Sequence, residues 1–283
     1  MSLLLKILAL SWMIFTGWVA LTLIIGMGHA PLVWFGVLPR ELAEHEIFML
    51  SAVVLLVVSV LALIFGGPYM DKQLGARKPS PREMDVLNQV IDRLKEAYQA
   101  RFKSDIPALT WRVLDDNSYN AMAYGRGSIA VSRALIALAR DNGQQGVDGL
   151  LGVAAHELGH IEHRDTVFPL VMSAVAWPLR FVHFMFIIFL IIPYVGRIIF
   201  DAIGYFFAGV ELAGWLLLGA SSKPGEYKAD KFAAELVGPD GLVSFFDLIG
   251  PMDINAGGGL LGHYLKSHPP VELRRARVEQ FHG

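Results

Sequence analysis

The sequence predicts a mainly α-helical membrane protein, with four transmembrane helices joined to a polar α+β region that carries a small sheet. Three observations predict it. The 283 residues are 54% hydrophobic and 18% charged, against about 45–50% and about 25% in soluble domains. The apolar excess is gathered into four stretches, each long enough for the ~20 helical residues that cross a ~30 Å hydrocarbon core. Elsewhere the pattern turns polar and mixes helical periodicity with short alternating runs.

The first stretch, residues 3–27, contains one charge, Lys6. It exceeds the roughly 7–15 apolar residues of a signal peptide and lacks a small-x-small cleavage site, so it reads as a retained span. Residues 47–68 carry no charge. Residues 167–195 and 198–220 are less clean: Arg180 and His183 interrupt the third stretch, Asp201 and Glu211 the fourth. Only residues 193–197 separate them, which predicts a helical hairpin. An ionised Arg or Asp facing lipid near the bilayer centre costs at least ~2.5–3.5 kcal/mol. Some of these four groups therefore pair or line a polar path into the site, or else Arg180 and Asp201 lie at the interfaces or snorkel. The resulting organisation is two N-terminal spans in 1–70, a polar region in 71–165, the hairpin in 166–221 and a second polar region in 222–283.

In the first polar region, Leu87, Val90, Ile91, Leu94, Tyr98 and Phe102 fall on one face of a helix over 83–102. Residues 109–114 read as a strand between Pro107 and Asp115-Asp116-Asn117, and a second strand covers 120–124. Gly125-Arg126-Gly127 is a turn into a third strand, 128–131. Ser132 is a suitable N-cap for a helix through Ala139. Residues 141–146 read as a loop, with Asp148 capping the next helix. Beyond the hairpin, Lys223-Pro224-Gly225 predicts a break. A helix then starts near Glu226 and ends at Gly238-Pro239. Another covers 242–249, a glycine-rich loop without a phosphate-binding pattern covers 255–259, and a charged helix covers 270–280.

Lys72, Arg77, Lys78 and Arg82 follow the second span closely, whereas the loop between spans one and two has only Arg40 beside Glu41, Glu44 and Glu46. The positive-inside rule places the polar regions and the N-terminus in the cytoplasm. The absence of cysteine excludes a disulfide framework and any thiolate-ligated metal. A net charge of -2 and the lack of a basic stripe argue against a nucleic-acid partner.

The chemistry lies in His156-Glu157-Leu158-Gly159-His160, an HExxH segment. On a helix, positions i and i+4 share a face, so one zinc ion can take a nitrogen from each imidazole. Zinc lowers the pKa of a bound water to about 7, and Glu157 stands beside it as a base. A catalytic zinc normally has three protein ligands. His163, Glu226 and His268 are the candidates for the third. Glu226 stands in Glu226-Tyr227-Lys228-Ala229-Asp230, where Asp230 shares its helix face. His268 precedes two prolines that hold it extended. A ligand beyond residue 220 lies on the same side of the membrane only if the intervening segment crosses an even number of times, as a hairpin does.

Taken together, two N-terminal spans, a basic linker, a strand-containing region, HELGH, an apolar hairpin, Glu226-x-x-x-Asp230 and His268-Pro269-Pro270 followed by Arg274 resemble the HtpX-type membrane zinc metallopeptidases, relatives of the CAAX prenyl-protein endopeptidases. The resemblance covers nearly the whole length. It implies a zincin (gluzincin-like) catalytic domain with one Zn2+ per chain on His156, His160 and Glu226. Glu157 is then the general base and Asp230 supports a ligating His. It further implies that Asn120, in an Asn-Ala strand beside the active-site helix, contacts substrate or transition state. His268 would lie near the developing oxyanion, and Arg274 would brace the acidic cluster. Gly225 departs from the family, whose members often carry a basic residue there. The expected function is zinc-dependent cleavage of polypeptides, misfolded or damaged membrane proteins above all, in stress response and protein quality control. The expected setting is a bacterial inner membrane, with termini and active site cytoplasmic. An intramembrane-cleaving protease is the second enzymatic reading. Asp240-Gly241 resembles the Asp-Gly of such enzymes but lies in a polar break, and Asp141, Asp148, Glu162, His163, Arg164 and Asp165 are too polar for a bilayer core. The non-enzymatic alternative is a membrane chaperone or scaffold with a zinc site.

Overall fold

The computed structural model describes residues 2–37, 42–188, 195–249 and 271–282. It is mostly helical with one small sheet, and its contacts divide it into two compact units. Asn255 to Gly259 and His268 lie outside the described residues.

The first unit comprises Met1–Ile64 and Phe168–Ser221. It contains α1 (Ser2–Trp34), most of α2 (Glu44–Leu74), α6 (Val167–Ile188) and the first part of α7 (Val195–Val237). Its core is Ala9, Met13, Ala20 and Leu21 of α1, Leu55 of α2, Met172, Val175, Ala176, Leu179 and Val182 of α6, and Phe207 and Val210 of α7. Small residues bring the helices close, as is usual for packing in lipid. A Cβ on Gly17 would lie 2.3 Å from the Val175 carbonyl oxygen. Thr22 and Ser51 share a hydrogen bond of 2.8 Å between α1 and α2. Leu4, Phe15, Leu56 and Ile64 remain exposed, as lipid-facing residues would.

By length and composition, Leu4–Trp34 and Glu44–Leu74 can each cross a membrane, and a third span is counted only if Gly143–Glu162 and Val167–Val182, bent by 57°, are taken as one. Among the described residues these are fewer than the four helices expected. Arg180 answers part of the question raised by charges in the hairpin. Its Nε and Nη2 donate to Glu211 Oε1 at 2.8 and 2.6 Å, joining α6 to α7. The side chains of His183 and Asp201 lie outside the described set.

The second unit comprises Phe65–Val167 and Ser222–Gly283. Helix α3 (Pro81–Phe102) starts two residues earlier than the expected 83 because Ser80 and Glu83 form a capping box, with Pro81 in the first turn. Val86, Leu87, Val90, Ile91, Leu94 and Tyr98 are buried as the periodicity requires. Phe102 departs from it. It is 42% exposed and stacks on Phe232 at 6.0 Å between ring centroids. The sheet has the order β1-β3-β2, with β1 (Thr110–Leu114) parallel and β2 (Ala121–Tyr124) antiparallel to β3 (Ser128–Ser132). The central strand is buried throughout, and β2 forms an edge.

Ser132 caps α4 (Arg133–Asp141) by accepting from the Leu135 amide. The expected loop over 141–146 is absent. Gly143, at φ +56°, turns the chain directly into α5 (Gly143–Glu162). Asp148 is accordingly inside α5, where it accepts from Arg93 and Gln144 instead of capping. Helix α8 (Pro239–Ile249) crosses α5 at glycine: a Cβ on Gly152 would lie 2.5 Å from Leu242 N. The expected break at Lys223-Pro224-Gly225 is also absent, since α7 runs through it and Glu226 lies within a long helix. Pro224 removes one backbone donor, but the face bearing Glu226, Ala229, Asp230 and Ala233 is buried, and packing there overrides local propensity. Helix α9 (Val271–Glu279) and a short 3-10 turn (Gln280–His282) close the described chain.

Candidate metal centre

Helix α5 brings His156 and His160 onto one face, with their Nε2 atoms 3.2 Å apart and their rings nearly perpendicular at 89°. Helix α7 supplies Glu226, whose carboxylate oxygens lie 3.5 Å from His156 Nε2 and 3.4 Å from His160 Nε2. One ligand atom from each of the three residues falls within 4.8 Å of the others, a group that can hold a metal ion. The approach depends on Gly159, where a Cβ would sit 3.1 Å from Ala229 Cα. His163 is not in this group. It is exposed at the end of α5, with its ring 6.0 Å from that of Phe232.

Both imidazoles turn their other nitrogen to a carboxylate. His156 Nδ1 is 2.8 Å from Asp230 Oδ1, and His160 Nδ1 is 3.1 Å from Asp165 Oδ2. Such partners fix the tautomer so that Nε2 is presented to the metal. Arg274 of α9 in turn donates to both oxygens of Asp230, at 2.6 and 3.0 Å, and lies 4.0 Å from Glu226. It is buried, with its guanidinium 5.4 Å from the Phe246 ring centroid.

Asp165 was not legible in the sequence. Five residues beyond His160, it would leave the ligand face of a continuing helix. It returns because α5 ends at Glu162 and Arg164 adopts φ +56°, after which the Asp165 amide donates to the His160 carbonyl at 2.8 Å. The same contact explains the unexpected glycine before Glu226. A Cβ on Gly225 would lie 3.1 Å from Asp165 Oδ2, so glycine leaves room for this carboxylate.

Glu157 is buried beside His156, His160 and Glu226. Its Oε2 accepts from the Ala123 amide of β2 at 2.6 Å. Asn120, just before β2, is half-buried. Its carbonyl accepts from the Ser132 amide at 2.8 Å and its amide donates to Ser132 Oγ at 3.2 Å.

The donor set suits a divalent cation. Burial and the Arg274 charge disfavour protonated His156, yet hydrogen bonds with Asp230 and Glu226 prevail and hold its pKa above the ordinary value. Burial acts likewise on His160, and hydrogen bonds with Asp165 and Glu226 push it up to about 10. Burial raises Asp230, but His156 and Arg274 outweigh it and hold this carboxyl at about 2. The carboxylates thus create a field that retains protons on the imidazoles, and a bound cation would take the place of those protons.

Comparison with known proteins agrees with this geometry. The model of peptidase family M48 matches residues 81–281. Three curated relatives, each a "Protease HtpX homolog", are 25% identical. The Salinibacter ruber protein aligns over 89% of this chain and 94% of its own length, the Thermodesulfovibrio yellowstonii protein over 78% and 84%, and the Desulforapulum autotrophicum protein over 79% and 81%. The chain belongs to peptidase family M48 and is an HtpX-type metalloendopeptidase.

Proposed function

We propose that this member of peptidase family M48 is a membrane-anchored zinc endopeptidase acting at the cytoplasmic face, with misfolded or damaged membrane proteins as its substrates. The observation that carries the reading is the convergence of His156, His160 and Glu226 within 4.8 Å, beside a buried Glu157. These three residues would hold one zinc ion. When bound, zinc acidifies water and polarises a carbonyl group.

The chain's own groups do the rest. Asp230 and Asp165 hold the two imidazoles in the tautomer that faces the metal, and Arg274 keeps Asp230 ionised and in place. Glu157 Oε2, held by the Ala123 amide, accepts the proton of the attacking water and then delivers it to the departing amine. Strand β2, at the edge of the sheet, receives an extended substrate by backbone pairing beside the Ala123 amide that Glu157 occupies. Asn120 contacts that substrate, and His268 donates to the developing oxyanion.

Lys72, Arg77, Lys78 and Arg82, just beyond the apolar part of α2, support the cytoplasmic placement. The resemblance to HtpX-type peptidases supports the substrate class. Two further crossings, made by α6 and the apolar part of α7, are supported by the Arg180–Glu211 pair, which meets the cost of charge in lipid.

The test is Glu157→Gln in the full chain. Cleavage of a casein-type substrate should cease while zinc stays at one per chain; full cleavage would refute the mechanism. Since the chain has no cysteine, single cysteines at Arg40 and Lys78 report sidedness cleanly. An impermeant reagent should reach position 40 from outside the cell and position 78 only after permeabilisation. The reverse pattern would overturn the topology.

A further inference from the structure

Asp71 lies in the last turn of α2, just past its apolar run, and plays no part in the chemistry described so far. Its carboxylate binds two strands at once. Tyr124 of β2 donates its hydroxyl to Oδ1 at 2.5 Å, and Arg112 of β1 donates Nε to Oδ2 at 2.7 Å. Met70, Leu74 and Ala76 pack beneath this pair against Leu114, Tyr124, Ala130 and Met122. The end of α2 therefore covers one face of the sheet. The opposite face carries Val113, Ala121, Ile129 and Val131, which join the core formed with α5.

Backbone contact holds the same end of β2. Gly125 has φ +63°, and a Cβ there would lie 3.2 Å from Gly67 Cα of α2. The Gly125 carbonyl accepts from Thr166 Oγ1 at 2.7 Å. At the other end, the Ser132 amide donates to the Asn120 carbonyl. In an antiparallel pair, alternate residues direct their amides to the partner strand and away from it. With Asn120 directed to β3, Met122 and Tyr124 follow, and the amides of Ala121 and Ala123 point off the edge. The Ala123 amide is the one that holds Glu157. Tyr124 and Ala123 are adjacent in a strand whose pleat turns their side chains to opposite faces. Whatever fixes the height of Tyr124 also fixes the donor to Glu157.

We propose that Asp71 is a positioning residue for catalysis: by anchoring Tyr124 it sets the place of β2, and through the Ala123 amide the place of the Glu157 carboxylate. The C-terminal end of α2 is thereby linked to the catalytic base within the second unit. This rests on the reading of Glu157 as that base.

The experiment uses the full zinc-loaded chain in detergent, with a fluorogenic peptide as substrate. Tyr124→Phe and Asp71→Asn should each lower kcat by about 3- to 10-fold, since small displacements of a reacting group are costly. KM should change by less than about twofold, with zinc content unchanged and each variant still folded at the assay temperature. The double variant should be no worse than the poorer single one, and Asp71→Glu should recover most of kcat. In the metal-free protein, Tyr124→Phe should speed amide exchange at Ala123 while β3 stays protected. Unchanged kcat, an effect on KM alone, additive losses, or exchange that is no faster would each overturn the proposal. Glu157→Gln measured alongside separates the two readings. An inactive Glu157→Gln with fully active Tyr124→Phe sinks only the positioning role, whereas an active Glu157→Gln removes the base on which it rests.

Discussion

Gly225→Ala separates stability from metal binding. Within a helix the change should stabilise by about 0.5–1 kcal/mol, because alanine restricts the unfolded chain. Here the new Cβ would stand 3.1 Å from Asp165 Oδ2, about 0.3 Å inside ordinary contact between non-bonded atoms. Asp165 Oδ2 already lies 3.1 Å from His160 Nδ1, towards the long end of the hydrogen-bond range. A displacement of that size away from Gly225 strains or breaks the bond that orients His160. Loss of such a partner typically costs 10–100-fold in metal affinity or activity, and a partial loss should cost about 3–10-fold. The expected result is a weaker zinc dissociation constant, read by competition with a chromophoric chelator, together with an unchanged or higher thermal midpoint of the metal-free protein. Zinc binding as tight as in the parent chain, in a variant that folds equally well, would refute the argument that Gly225 makes room for Asp165.

Further outcomes follow from packing, charge and metal linkage. Gly152→Ala places a Cβ 2.5 Å from Leu242 N, so α5 and α8 must separate by about 1 Å. A loss of about 1–3 kcal/mol in denaturant unfolding is expected, whereas Gly209→Ala, with nothing within 4 Å, should be neutral or stabilising. The hydrogen bonds from Arg77 hold Glu83 at about 2, against an ordinary value of 4.5. Because the folded value is depressed, the stabilisation is present above about pH 4.5 and is lost as pH falls towards 2. Glu83 is 14% and Arg77 36% exposed, so solvent screening limits the effect to about 1 kcal/mol. Glu83→Gln should be less stable than the parent chain by that amount at pH 7, with the difference closing on acidification. Chelation should abolish cleavage and lower the thermal midpoint, both restored by zinc. Zinc free at about 100 times its dissociation constant stabilises by about 2.7 kcal/mol, and a midpoint indifferent to zinc would contradict a site formed in the folded chain.

Much of the second unit was legible because local rules governed it. The 3.6-residue pattern located α3, and Ser132 marked the start of α4 through a side-chain cap that needs no distant partner. The misread segments are those in which a distant neighbour decided. Pro224-Gly225 carries the local signature of a break, yet α7 passes through it because Glu226, Ala229 and Asp230 are buried on the far side. The loop expected over 141–146 collapsed to a single turn at Gly143, where a positive φ admits a close helix junction. In the first unit, composition marked α1 and α2 as spans. In the more broken runs of α6 and α7, Arg180 is paired with Glu211, a partner that hydropathy alone does not identify.

By itself the sequence determined the shared face of His156 and His160 on α5 and its apolar surroundings, because an i, i+4 spacing and a hydropathy run are local properties of a helix. Through its motifs it also pointed to Glu226 and Asp230. Only the tertiary structure decided that Asp165 backs His160, that a Cβ at Gly225 would meet it, and that the Ala123 amide holds Glu157. Each of these contacts joins a side chain to a partner on another element or beyond a left-handed residue. Their geometry depends on how α2, β2, α5 and α7 pack, and no spacing along the chain encodes that packing.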